Sequence, residues 1–453
     1  MSLVTISVDG KHMNVEDGKL LIDALIENQI DLPYFCYHEA IGAEGNCRMC
    51  MVEIEGQKRP QIACDTFVKE GMEIRIDSPK VNKVRQDILE LELINHPVDC
   101  PTCDQAGECS LQDYYMDYGL YDSHIGKSEK NKKGKKVDLG RNVMLDQERC
   151  VLCTRCVRFT QKITKTGELG VAHRGDHSYI TTVPGRGMES EYSMNVVDLC
   201  PVGALTSKDF RFNQRVWFLK PVESICHGCT KGCNIYVDHN KEKYKDDMIF
   251  RIRPRINKEI NGHFICDYGR LSYKTIHENR YMEKVEKDEI KEKFDSIIAK
   301  NKTTKTAVLV DASLYLEEMA TILQYAESIG AELLCPSETY LDESFEDDML
   351  RTKYKCSNLQ GIKSFDITTE VSDKEYDLVI NFNHPDFVNF KAKQSISFQT
   401  HNNFEADLKI PVAAHAETSG TLLNIDNVKQ YCNKIIEPND PVLTINEWME
   451  YLR

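Results

Sequence analysis

The chain has 453 residues, enough for about two to four domains, and 41% of them are hydrophobic while 28% are charged, a balance typical of soluble globular proteins. Its formal net charge of −15 at pH 7 disfavours a nucleic-acid surface, because polyphosphate binds net basic patches. The sequence holds no apolar run of about 18 residues, and its first residues lack the basic-then-apolar order of a secretory signal. We therefore expect a cytoplasmic protein whose partners are other proteins.

Cysteine is the strongest signal in the composition. Of the 18 cysteines, 15 fall between residues 36 and 266. A cytoplasmic compartment keeps thiols reduced, so this density argues for metal ligation and against a disulfide framework. These 15 cysteines divide into four consecutive sets along the chain.

The chain begins with the pattern of a small sheet-and-helix domain. Apolar residues alternate over 4–8, Asp9-Gly10 suits a hairpin turn, and residues 20–28 are predicted to form a helix. Four cysteines then follow with 10, 2 and 13 residues between them, which keeps the close pair of a plant-type [2Fe-2S] ferredoxin but lengthens its first loop. A structural zinc site is the alternative, although zinc ligands usually come as two short pairs. This first set comprises Cys36, Cys47, Cys50 and Cys64.

The second set places one histidine before three cysteines, with 3, 2 and 5 residues between them. We interpret it as a [4Fe-4S] site with one imidazole ligand. A neutral imidazole in place of a thiolate removes negative charge from the ligand shell, so we expect a higher redox potential, as in Rieske centres. A zinc site with three cysteines and one histidine has the same ligands and stays open on spacing alone. The set comprises His96, Cys100, Cys103 and Cys109.

The third set has three thiols within seven residues and a closing cysteine after 43 more. Each of these thiolates can take a different iron of a cubane, whereas one zinc ion would need near-adjacent sulfurs to converge at about 2.3 Å. Position 160 is Thr, where a two-cluster bacterial ferredoxin has a further cysteine, so we expect a single [4Fe-4S] cluster. The set comprises Cys150, Cys153, Cys156 and Cys200.

The fourth set again suits a [4Fe-4S] cluster, with 2, 3 and 32 residues between its cysteines. His227 lies inside its first loop. A histidine beside four thiolates is more often a surface residue, or one that supports the ligands, than a fifth ligand. The set comprises Cys226, Cys229, Cys233 and Cys266.

The last third of the chain has the pattern of alternating strands and helices. Buried strands are predicted over 305–311, 331–335 and 376–382, with an amphipathic helix over 313–329, which indicates a small parallel sheet. The segment lacks the glycine spacing of a dinucleotide or P-loop site. Its three cysteines are far apart in sequence, and we interpret them as packing residues: Cys335, Cys356 and Cys432.

The residues around these sets form recognisable motifs: Pro33-Tyr34-Phe35-Cys36, Gly45-Asn46-Cys47-Arg48-Met49-Cys50, His96 to Cys109, Cys156-Val157-Arg158-Phe159 and Cys200-Pro201-Val202-Gly203. These motifs resemble a known family, the G subunits of NADH-quinone oxidoreductase, which is respiratory complex I. The resemblance covers residues 1 to about 280, and the same front half occurs in the small diaphorase subunit of NAD-reducing hydrogenases. It implies a relay between a flavin-containing, NADH-oxidising subunit and a quinone-side iron–sulfur subunit, at the inner face of the cell membrane and attached to it only through the complex.

The fourth set and the segment after it resemble the entry domain of molybdopterin oxidoreductases. Residues 406–411 and Gly420-Thr421 resemble the end of that family's pterin region, but Asn427-Val428 stands where the family commonly has Gly-Arg, and the region is far shorter. We therefore expect one [2Fe-2S] cluster, three [4Fe-4S] clusters and no molybdopterin.

Together these observations predict a modular α+β chain. An N-terminal β-grasp [2Fe-2S] ferredoxin domain is expected, followed by small helical or loop [4Fe-4S] modules and a shortened molybdopterin-oxidoreductase-like α/β domain. The expected boundaries are 1–80 for the ferredoxin-like domain, 81–120 for the histidine-containing module, 140–215 and 220–280 for the next two modules, and 285–453 for the last domain.

The predicted function is electron transfer without a substrate site. The sequence offers no convincing nucleophile, acid–base pair or nucleotide loop, so no catalytic residue is assigned, and the protein's role would be to set the distances and potentials of its clusters. The leading hypothesis is an electron-transfer subunit of an NADH-quinone oxidoreductase, a translocase. A diaphorase-type relay of a hydrogenase or formate dehydrogenase, and a zinc-stabilised scaffold, are the alternatives.

Overall fold

The computed structural model describes residues 2–122, 126, 128–240, 248–281, 286–372, 374–438 and 442–453. The chain forms two compact units, Met1–Trp217 and Phe218–Arg453. Among the described helices, none combines the length and the apolar character needed to cross a bilayer.

The first unit opens with a five-stranded mixed sheet that packs against one helix. The predicted hairpin is confirmed: the first two strands pair antiparallel, and Asp9 and Gly10 between them have φ of +47° and +82°, as a type I′ turn requires. Alternate side chains of the first strand, such as Ile6, are buried against Leu21 and Leu25 of the helix. The elements are β1 (Leu3–Val8), β2 (Lys11–Glu16), α1 (Leu21–Glu27), β3 (Met51–Ile54), β4 (Gln61–Ile62) and β5 (Glu73–Arg75), in the sheet order β2-β1-β5-β3-β4.

Two helices follow, α2 (Pro79–Leu93) and α3 (Ser110–Tyr118). The hydroxyl of Ser78 accepts the N–H of Val81 at 3.2 Å and so caps α2, whose first residue is a proline. The buried guanidinium of Arg85 donates to the carbonyl of Met51 and the hydroxyl of Tyr118. This side chain therefore ties α2 both to the opening sheet and to α3.

The rest of the first unit consists of short elements around long loops. One sheet has the order β10-β7-β6 and another is a two-stranded pair, β8 with β9. The elements are β6 (Val137–Asp138), β7 (Val143–Leu145), α4 (Arg155–Lys162), β8 (Leu169–Ala172), β9 (Tyr179–Thr182), α5 (Asn195–Leu199) and β10 (Leu205–Ser207).

The second unit begins with an antiparallel three-stranded sheet and two short helices. The central strand pairs with both neighbours, and the connection between the first two strands carries three of the four cysteines of the fourth set. The elements are β11 (Leu219–Ile225), β12 (Asn234–Asn240), β13 (Ile249–Pro254), α6 (Asp267–Leu271) and α7 (Tyr273–His277).

A parallel five-stranded sheet forms the larger part of the second unit. The predicted small parallel sheet is confirmed, and each predicted strand and the predicted helix are present within a few residues of their expected bounds. Two further parallel strands, β17 and β18, extend it in the order β15-β14-β16-β17-β18. The elements are α8 (Lys287–Lys300), β14 (Thr306–Val310), α9 (Leu316–Ile329), β15 (Glu332–Leu334), α10 (Leu359–Ser364), β16 (Glu375–Phe382), β17 (Lys391–Gln399), β18 (Leu408–Pro411), β19 (Gly420–Leu423), β20 (Lys429–Cys432) and α11 (Ile445–Leu452).

Candidate metal centres

The four cysteines of the first set are buried together beside the opening sheet. The Sγ atoms of Cys36 and Cys47 lie 3.4 Å apart, and the thiol of Cys64 is hydrogen-bonded with those of Cys36 and Cys50. The thiol of Cys47 lowers the pKa of Cys36 by hydrogen bonding to it. The structure therefore brings all four predicted thiols of this set together.

The loop around the first set aims backbone amides at sulfur. The N–H groups of Phe35 and Cys36 both point at the Sγ of Cys47, each with an N to S distance of 3.4 Å. Gly42 and Gly45 have φ of +75° and +70°, a backbone conformation that glycine adopts without the steric penalty of a side chain. Such N–H groups stabilise charge on sulfur and tune the potential of a bound cluster.

The second set lies between α2 and α3. His96, Cys100 and Cys109 line one open groove, and the buried Cys103 follows Cys100 in a short turn. Nδ1 of His96 accepts the N–H of Val98 at 3.0 Å, which leaves Nε2 as the ring nitrogen available to a metal. Burial lowers the pKa of His96 to about 4, so at neutral pH the ring has the uncharged form that binds metals.

The third set surrounds one narrow cavity. All four of its cysteines line this cavity, together with the apolar side chains of Leu145, Ile180 and Leu205. Burial raises the pKa of the Cys153 thiol to about 12, and it raises the pKa of Cys156 well above its usual value. Bound iron would lower these pKa values again, because its positive charge stabilises the thiolate, which is the form of cysteine that binds metal. The arrangement fits a cubane held by four sulfurs and shielded from water.

The second and third sets are in direct contact. The N–H of Ser110 at the start of α3 donates to the carbonyl of Pro201 at 2.9 Å. Gly203 lies so close to Cys103 that a Cβ atom at this glycine would be 2.2 Å from the Cys103 Sγ. Arg215 donates to the carbonyl of Cys103 at 2.6 Å. These contacts fix the loop of one set against the loop of the other.

The fourth set lies in the second unit, at one end of the antiparallel sheet. Cys226 donates its N–H to the carbonyl of Cys233 at 2.8 Å, which closes the loop between β11 and β12, while Cys266 directly precedes α6. The N–H of Gly228 is 3.4 Å from the Cys226 Sγ, and that of Gly269 is 3.3 Å from the Cys266 Sγ. The backbone thus approaches two of the four buried sulfurs closely.

His227 is half-buried and has contacts on several sides. Its Nδ1 is 3.1 Å from the hydroxyl of Ser357, its Nε2 is 3.4 Å from the hydroxyl of Tyr315, and its ring stacks on that of His415 at 4.2 Å. Burial holds the pKa of His227 well below its usual value. These contacts agree with the expected role of a residue that supports the ligands. His415 and Tyr315 had no signal in the sequence because each is more than 80 residues from His227.

The three remaining cysteines are buried in apolar cores, as predicted. Cys335 and Cys356 belong to the core around the parallel sheet, and Cys432 packs with Ile225 and Leu422.

Among the described residues, no three His, Cys, Asp or Glu side chains are arranged to hold a single metal ion. An iron–sulfur cluster has a different requirement, because each thiolate takes its own iron in a cubane.

Four family models match consecutive segments of the chain, and each segment contains one of the four sets. This confirms binding domains for [2Fe-2S] and [4Fe-4S] clusters in the predicted order. The models are described as a 2Fe-2S iron-sulfur cluster binding domain (residues 2–79), an NADH-ubiquinone oxidoreductase-G iron-sulfur binding region (85–124), an NADH-quinone oxidoreductase subunit 3 ferredoxin-like domain (140–206) and a molybdopterin oxidoreductase Fe4S4 domain (219–278).

Curated relatives are similar to about three fifths of this chain. The NADH-quinone oxidoreductase G subunit of Rickettsia felis is 40% identical over 271 residues, which are 60% of this chain and 39% of the relative. The NADH-ubiquinone oxidoreductase 75 kDa subunit of Reclinomonas americana is 40% identical over 279 residues, 61% of this chain and 39% of the relative. The predicted resemblance is thereby confirmed, and the chain spans about two fifths of the length of these relatives.

The crystal structure of NAD+-reducing [NiFe]-hydrogenase in the H2-reduced state matches with a TM-score of 0.43 and 26% sequence identity. The match covers 47% of this chain and 91% of that chain.

Proposed function

We propose that this chain is an iron–sulfur electron-relay subunit of a multi-subunit NADH-quinone oxidoreductase. One observation carries the proposal: four sets of predicted ligands, which are buried or partly buried, each fall within one matched cluster-binding segment. The relatives that share these segments are named as subunits of that oxidoreductase. The chain would act as an electron-transfer subunit without a substrate site of its own.

The proposed cofactors are one [2Fe-2S] cluster in the first set and one [4Fe-4S] cluster in each of the other three. When bound, such clusters accept and release single electrons at potentials that the surrounding protein tunes. The chain's own side chains would hold the irons through fifteen thiolates and the Nε2 of His96. Apolar neighbours exclude water from the third set, and amide N–H groups support sulfur in the first and fourth sets.

We propose that residues 285–453 form a shortened α/β domain that holds no molybdopterin. The matched molybdopterin-oxidoreductase segment covers only its Fe4S4 domain, at residues 219–278. Asn427, at the position where the resembling family commonly has glycine, has φ of +59° in the turn between β19 and β20. This turn joins β19 and β20 in a hairpin. The domain would support the fourth set because His415 and Tyr315 contact His227, which lies between Cys226 and Cys229.

The proposed partners are a flavin-containing, NADH-oxidising subunit and a quinone-side iron–sulfur subunit of the same complex. The named relatives are themselves subunits of such an oxidoreductase, which supports this assignment. We place the chain in the cytoplasm at the inner face of the cell membrane, in contact with the membrane only through the complex, and without nucleic acid.

Metal analysis of the anaerobically purified chain tests the proposed cofactors. One binuclear and three cubane centres require about 14 iron atoms, with an equal number of acid-labile sulfides. Low-temperature electron paramagnetic resonance after reduction should then resolve one binuclear and several cubane signals. Zinc without acid-labile sulfide would contradict the proposal and support the zinc-stabilised scaffold instead.

Isolation of the native complex tests the proposed partners separately. We expect the chain to copurify with flavin- and quinone-reducing subunits, identified by mass spectrometry. Copurification with a hydrogenase or formate dehydrogenase large subunit, and without quinone-side subunits, would overturn the assignment to the oxidoreductase in favour of the diaphorase-type relay. The cluster content would be unaffected by that outcome.

A further inference from the structure

One buried arginine connects the loops of the first and third sets. Arg158 lies on α4, two residues after Cys156 of the third set. Its Nη1 donates to the carbonyls of Gly42 at 2.5 Å and Ile41 at 3.3 Å, and its Nη2 donates to the carbonyls of Cys36 and, at 3.5 Å, Cys153. The guanidinium thus contacts the backbone of one predicted ligand from each set.

The charge of this side chain is enclosed by the protein. Its exposed fraction is 4%, and the carboxylate of Glu44, which is 46% exposed, lies 3.6 Å from its Nε. Removing a guanidinium from water is costly unless nearby negative charge compensates it. Four carbonyl dipoles give partial compensation. Two sets of thiolate ligands, each carrying net negative charge once iron is bound, would give the rest.

We propose that Arg158 is a positioning residue that supplies one shared positive charge to the first and third sets and so raises the redox potentials of both. The inference rests on the proposed function, because it concerns the clusters that these sets would hold. Reduction adds an electron to a centre that is already anionic, and a fixed positive charge held nearby at low exposure favours that reduced state. Loss of the charge should therefore lower two midpoint potentials together.

Two neighbours on the same helix provide matched controls. Arg155 is also buried and lies over the ring of Tyr34 at 5.7 Å, but its hydrogen bond goes to the carbonyl of Leu199 of the third-set module at 3.1 Å. Its charge opposes the rise that burial imposes on the pKa of Cys153. Lys162 reaches the same loop as Arg158, donating to the carbonyl of Ile41 at 3.0 Å, yet it is exposed and screened by water. These controls separate a shared buried charge from a local one and from a surface one.

Anaerobic redox titration with dithionite, followed by electron paramagnetic resonance, tests the inference on the full chain. In Arg158→Met we expect the midpoint potentials of the binuclear centre and the third-set cubane both to fall. Arg155→Met should lower mainly that of the cubane, and Lys162→Met neither. An Arg158→Met variant with full iron content and two unchanged potentials would overturn the inference.

The charge-conserving variant decides the outcome if Arg158→Met does not assemble. Arg158→Lys keeps the positive charge but loses the planar guanidinium that contacts four carbonyls, so we expect lower thermal stability. Both midpoint potentials should stay close to those of the unchanged chain. Two lowered potentials in Arg158→Lys would overturn the inference, because the charge would then not be the cause. Failure of the proposed cofactors is distinguishable, since the unchanged chain would then contain no iron and sulfide to titrate.

Discussion

Asp99 and Arg149 form a two-point ion pair across 50 residues of sequence, with Nε to Oδ1 and Nη2 to Oδ2 distances of 2.9 and 2.8 Å. Asp99 directly precedes Cys100 of the second set, and Arg149 directly precedes Cys150 of the third. Although burial acts in the opposite sense, hydrogen bonds from Arg149 and Lys135 hold the pKa of Asp99 well below its usual value. The ion pair therefore connects the residues that directly precede Cys100 and Cys150.

Asp99→Asn should destabilise the first unit. Arg149 has a side-chain exposed fraction of 6% and would lose its two-point partner while Asp146 remains 3.4 Å away, so we expect a loss of about 1–3 kcal/mol in the free energy of unfolding. Urea unfolding followed by circular dichroism measures this. The control is Asp138→Asn, which removes an exposed pair with Lys208 and should cost about 1 kcal/mol or less. Equal losses in the two variants would contradict the prediction.

The stability of the second unit should fall on mild acidification because of His384. This residue is fully buried, and burial lowers its pKa to about 4, below the value of about 6.5 for an exposed histidine. Between these values the unfolded chain binds the proton and the folded chain does not, so stability decreases as the pH falls from 7.5 to 5.5, by about 1 kcal/mol. His384→Gln should reduce that pH dependence. An unchanged slope of unfolding free energy against pH would contradict it.

Gly203→Ala should remove the second cluster and spare the others. The new Cβ would be 2.2 Å from the Cys103 Sγ, so the cysteine or its loop must move. We expect about four fewer irons per chain, measured by metal analysis and by loss of one cubane signal. Gly170→Ala is the matched control, because a Cβ there meets no atom within 4 Å. Full iron content in Gly203→Ala would show that the contact is not needed for assembly.

His96→Cys should keep a cluster but lower its redox potential. A thiolate adds negative charge to the ligand shell, which disfavours the reduced state relative to imidazole ligation. Redox titration of the second-set signal measures the change. As a control, His177→Cys introduces a thiol at an exposed site elsewhere in the same unit. A midpoint potential that does not move would remove the imidazole from the ligand shell.

His227→Phe should retain the fourth cluster at a cost in stability. The benzyl ring preserves the stacking on His415, but Ser357 and Tyr315 lose the ring nitrogens that they contact. We expect a loss of about 1–3 kcal/mol with unchanged iron content. Cys226→Ser, the matched ligand variant, should lose about four irons instead. The same iron loss in a folded His227→Phe would make the histidine a ligand.

The local features were predictable from the sequence because their causes are local. The turn at Asp9 and Gly10 needs two positive φ angles, and this dipeptide supplies them within the alternating pattern of β1 and β2. The ligand sets follow the same logic, since three of the four cysteines of the third set lie within seven residues. Strands β17 and β18 were not predicted, because β17 begins with polar residues that hide the pattern of a buried strand, and β18 has only four residues.

The contacts between modules were beyond sequence reasoning. Arg158 lies in a motif already associated with the family resemblance, yet its bonds reach Cys36 and Gly42, more than 110 residues earlier. Gly203 belongs to the third-set motif but packs closely against Cys103 of the second set. Spacing identifies which residues share a ligand set. It carries no information on which side chain supports a neighbouring set.

The close approach of Gly203 to Cys103 has a consequence for maturation of the protein. The loop that ends the third set also forms one wall around a sulfur of the second, so the second site is complete only when that loop has its final shape. Insertion of the inorganic cofactors would then have an order. Folding around the third site would prepare the second to receive its iron and sulfide.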